Sequence, residues 1–136
     1  CIGCTGVWRG HWLRLGQRSE PNGLQSLALS LKCARHANGG VAVTGLAMDG
    51  ERAESVRGHY DECLLLLVLE WDVFWPMGPI GLAGATTRVR FVGRVGPRVI
   101  SGVWGPPGAL YGNSESIAAA QERGERWGGV FQLRPR

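Results

Sequence analysis

The chain has 136 residues, enough for one domain with its own core. Apolar residues at 44% and charged residues at 19% exclude a disordered, highly charged chain. The net charge of +4 rests on arginine, Lys32 being the single lysine, and it permits an acidic partner without requiring one.

The 22 glycines and 7 prolines recur between short apolar runs, the spacing of an all-β chain with many turns. Residues 7–13 open with Trp8, Gly10 and Trp12 alternating against Val7, Arg9 and His11, as a strand with one aromatic face. Pro21-Asn22-Gly23 marks a turn segment. In 24–33, Leu27, Leu29, Leu31 and Cys33 share one face and Ser26, Ala28, Ser30 and Lys32 the other, which predicts a half-buried strand. Asn38-Gly39 is a hairpin signal before the next strand, which carries Val41, Val43, Gly45 and Ala47 on one face and ends at Asp49-Gly50.

Residues 55–61 predict a fourth strand with Val56, Gly58 and Tyr60 on one face. The run from Cys63 to Leu69 is too short to span a bilayer and is followed by Glu70 and Asp72. It reads as a strand over 64–74, buried on both faces or packed under a loop. The Gly/Pro-rich stretch 76–85 predicts a long connection folded over one end. Residues 88–104 predict two strands joined at Gly96-Pro97. Asn113 or Ser114 caps a short helix over 115–123 that stops at Gly124, and 128–133 form the last strand. The expected fold is therefore all-β: an eight-stranded antiparallel up-and-down barrel, with one short helix inserted before the last strand. Residues 1–6 form an N-terminal segment and 7–136 the single barrel domain.

Trp8-x-Gly10-x-Trp12, Val43-x-Gly45 with Asp49-Gly50, Val56-x-Gly58-x-Tyr60, Phe91-x-Gly93, Ile100-x-Gly102-x-Trp104 and Gly129-x-Phe131-x-Leu133 follow one another in this order. In that order the chain resembles the lipocalin-like (calycin-type) eight-stranded barrels. The resemblance implies a barrel that binds in or around its interior, and it implies no particular ligand.

Three groups of side chains are candidates for function. Trp8, Trp12, Asp49, Tyr60, Phe91 and Trp104 would line a pocket for a small apolar ligand. The plainer alternative is that the aromatics fill the barrel and Asp49 belongs to a turn. Arg88, Arg90, Arg94 and Arg98 form a stripe on an outward face, suited to an anionic partner such as an acidic protein or RNA, or simply solvated. Cys1 and Cys4 have the spacing of half a zinc site, with a disulfide to Cys33 as the alternative, and Cys33 and Cys63 read as small buried side chains inside strands. His59-Tyr60-Asp61-Glu62 has the composition of an acid/base cluster or of a solvated strand end. No phosphate-loop, Ser-His-Asp or paired-carboxylate pattern is present. The start at Cys1 reads as a piece of a longer or processed polypeptide, and no signal peptide is legible, so an intracellular place is expected. The expected function is a non-enzymatic interaction or regulatory module that works on a protein partner or its parent polypeptide. A hydrophobic-ligand barrel is the alternative, and a barrel enzyme of isomerase or cyclase type comes last.

Overall fold

The computed structural model describes residues 4–14, 24–37, 39–49, 52–75, 84–105 and 129–136. They form eight strands: β1 (Gly6–Arg14), β2 (Leu24–Arg35), β3 (Val41–Asp49), β4 (Arg52–Asp61), β5 (Leu66–Trp75), β6 (Ala85–Val95), β7 (Ile100–Gly105) and β8 (Gly129–Pro135). Each pairs antiparallel with its sequence neighbour, and β8 pairs back onto β1, so the sheet closes as an up-and-down barrel. Closure removes the free edges that an open sheet would expose. No helix occurs among the described residues, and the predicted connection 76–85 and helix 115–123 fall largely or wholly outside them. No helix there is long and apolar enough to cross a membrane.

Period-two patterning decides which side chains point inward. Leu27, Leu29 and Leu31 on β2, Val41, Val43 and Ala47 on β3, and Val56 and Tyr60 on β4 are buried, while the residues between them face out. The barrel coils so tightly that a Cβ on Gly58 would overlap the carbonyl oxygen of Val68 on β5. A similar overlap with neighbouring backbone recurs at Gly10, Gly45 and Gly102. Glycine at these places lets adjacent strands fold sharply across one another.

The leucine-rich run departs from the expectation of a strand starting at Leu64. Asp61 Oδ1 accepts the backbone N–H groups of Cys63 and Leu64 at 2.9 and 3.1 Å. Leu65 takes a positive φ of 56°, and its carbonyl accepts the Val95 N–H at 2.8 Å. This side-chain-capped turn consumes Cys63, Leu64 and Leu65, all exposed. The strand begins at Leu66 and alternates as its neighbours do, with Leu67, Leu69, Trp71 and Val73 inside.

The two ends of the barrel differ. Turns 36–40, 62–65 and 96–99 lie at one end, and at that end the Arg136 N–H donates to the Val7 carbonyl at 3.0 Å. The connections 15–23, 50–51, 76–84 and 106–128 all leave from the other end.

Candidate functional site

The five aromatic residues proposed for the pocket, Trp8, Trp12, Tyr60, Phe91 and Trp104, are inside the barrel, but they separate into two groups. Trp12, Phe91 and Trp104 are each at most 2% exposed and touch one another: Trp12 to Trp104 at 4.6 Å between ring centroids, Trp12 to Phe91 at 5.8 Å, Phe91 to Trp104 at 5.9 Å. Two rings that the sequence did not single out for the pocket complete the cluster. Trp71 stacks on Phe91 at 4.2 Å, and Phe131 tilts against it at 4.9 Å. Phe91 therefore touches four aromatic rings. Edge and offset contacts of this kind add roughly 0.5–1.5 kcal/mol per pair beyond area burial. The signal for Trp71 was its place in the alternation Leu67, Leu69, Trp71, Val73, hidden by starting the strand at Leu64.

Trp8 and Tyr60 belong with the cysteines at the short-turn end. The Trp8 indole N–H donates to the Cys4 carbonyl at 3.0 Å. Cys4 is fully buried beside Cys33, which packs against the core. Burial, then the Cys33 thiol, push the Cys4 thiol far above its ordinary range. Burial likewise raises the Tyr60 phenol, helped by the nearby Cys4 and Glu62. Cys1 lies outside the described residues. Among those described, no three His, Cys, Asp or Glu side chains gather into a metal-binding group. With thiolate as the reactive form, alkylation of the folded protein at pH 8 is expected to label exposed Cys63 first and Cys4 only on unfolding; peptide mass mapping over time reads the order.

Asp49 ends β3 opposite Arg52, and its side chain lies outside the described set. In the acid/base segment, Asp61 caps its turn, and Glu62 pairs with Arg35. The hydrogen bond from Arg35 holds the Glu62 carboxyl below its usual range. His59 faces out.

The arginine stripe is not one surface. Arg90 lies opposite Glu70 in the β5–β6 register and binds it at 2.7 Å; Arg88 lies opposite Asp72 and reaches it at 3.3 Å. Glu70 also faces Arg57 across β4. Half of the stripe is thus part of a cross-strand charge ladder on the β4–β6 wall, and such half-exposed pairs contribute about 0–1 kcal/mol each. Arg94 and Arg98 remain exposed beyond it.

Comparison with protein-family models, with curated proteins and with solved structures returned no match.

Proposed function

We propose that this is a lipocalin-like (calycin-type) barrel acting as a non-enzymatic interaction module, one that meets its partner on its outer wall. The observation that carries this reading is the aromatic cluster around Phe91, which occupies the space a lipocalin-type ligand would need. Eight strands enclose an interior just wide enough for side chains to fill it. The two carboxylates of the predicted acid/base segment, Asp61 and Glu62, serve a turn and a surface ion pair, which also favours a module without catalysis.

The test is a fluorescence titration with oleic acid, retinol and haemin. Trp8, Trp12, Trp71 and Trp104 all report on the interior. The expected result is no saturable change with any of the three. A saturable shift or quench at one ligand per chain would overturn the reading in favour of the hydrophobic-ligand barrel.

A further inference from the structure

Acidic residues are unevenly placed around the barrel. Among the described residues they occur only from Asp49 to Asp72; none lies within 4–14, 24–37, 84–105 or 129–136. The wall formed by β7, β8, β1 and β2 therefore carries no acidic side chain among the described residues. On it, Arg9 and Arg134 stand directly opposite each other in the β1–β8 register, both exposed. Like charges placed this way oppose folding. No carboxylate partner for either occurs among the described residues.

The registers also align a row of polar side chains across five strands. Arg94 on β6 faces Ser101 on β7, Ser101 faces Gln132 on β8, Gln132 faces His11 on β1, and His11 faces Ser26 on β2. Every member of this row can donate a hydrogen bond, and none is acidic. The next row continues from Arg134 and Arg9 through Ala28 to Met48. A surface groove runs between these rows, with Arg9, His11, Ser26, Met48, Gln132 and Arg134 among its walls. Beside it Leu46, Met48 and Val7 are exposed apolar side chains.

We infer that this groove binds an extended acidic segment of a partner protein, its carboxylates on Arg9 and Arg134 and an apolar side chain against Met48. The proposal rests on the interaction-module reading and gives it a surface and a partner class. Guanidinium groups match carboxylates in charge and in fork geometry. Five strands at about 4.8 Å spacing give the polar row a span of about 19 Å, the length of about six extended residues. The large apolar side chains exposed here are aliphatic, whereas single-stranded nucleic acid is held by aromatic side chains that stack on its bases. That favours a peptide over RNA.

Fluorescence anisotropy with the labelled peptide Glu-Ser-Glu-Ser-Val-Ser, whose alternate residues present two carboxylates and a valine on one side, tests this at low salt. Saturable binding that weakens as salt rises is expected. Arg134→Glu is expected to weaken it at least tenfold while the melting temperature holds or rises, because the substitution sets opposite charges across from each other at Arg9. Arg88→Gln, in the charge ladder, should leave binding unchanged. Three results would overturn the proposal: no saturable binding, equal binding by the Arg134→Glu protein, or tighter binding of an oligothymidylate than of the peptide. Failure here leaves the titration of the interior untouched, so the two readings fall separately.

Discussion

Phe91→Ala is expected to cost about 3–5 kcal/mol, the range for deleting a buried phenylalanine ring. Phe91 is 1% exposed and contacts Trp12, Trp71, Trp104 and Phe131, so its removal strips one face from four rings at once. Those rings sit on strands β1, β5, β7 and β8, whose hydrogen-bonded registers hold them apart and limit collapse into the gap. A domain of this size has about 5–15 kcal/mol in total, so about a fifth or more of its stability goes with one side chain. The expected drop in melting temperature is roughly 10–20 °C. Phe91→Leu keeps most of the volume and should lose much less. Val130→Ala, at an exposed outer position, should stay close to the parent. Urea unfolding followed by tryptophan fluorescence measures all three. A Phe91→Ala protein as stable as the Val130→Ala protein would show that the cluster is not what holds the strands together.

Gly58→Ala is expected to be the most damaging small substitution. Its added methyl group would overlap the Val68 carbonyl and press on the Leu69 backbone. Neither can rotate away, because both belong to the β4–β5 ladder, where Gly58 is registered on Leu69. The expected loss is at or above the top of the roughly 1–3 kcal/mol typical of overpacking. Gly39→Ala is the informative comparison. Gly39 has a φ of +88° in the β2–β3 turn and open space where a Cβ would go. It should cost only the backbone strain, about 1–2 kcal/mol, and still fold. Thermal unfolding by circular dichroism separates the two. Equal losses would mean that strand crossing at Gly58 is looser than the structure has it.

Much of the fold was legible because a barrel strand writes its two faces into alternate residues. Leu27, Leu29 and Leu31 against Ser26, Ala28 and Ser30 left no second frame for β2. Leu64 to Leu69 carries no polar residue to set a frame, and the frame there comes from outside the run. It is set by Asp61, whose carboxylate captures two backbone N–H groups and pulls Leu64 and Leu65 into the turn. The candidate surface was less legible for a related reason. That Arg88 and Arg90 face outward follows from parity. That they face Asp72 and Glu70, while Arg9 faces Arg134, depends on registers between segments far apart in the chain, and parity is silent about register. The place of Phe91 at the centre of four rings was hidden in the same way, whereas Cys4 with Cys33 stood among the alternatives as a disulfide, and both are free cysteines.

The hydrogen bond from Arg136 to Val7 has a consequence for how the barrel can be handled. It sets β1 and β8 side by side, with Gly6 and Pro135 on the end that carries the short turns. A brief linker from residue 136 back to residue 4 would join them without crossing the mouth opposite. Chain order in this barrel is then a matter of where the ring is cut: reopened within 15–23 or 106–128, it keeps every neighbour each strand has now. Grafted into a host loop by those same adjoining ends, it would hang as a pendant, with its far mouth and its Arg9–Arg134 flank turned outward.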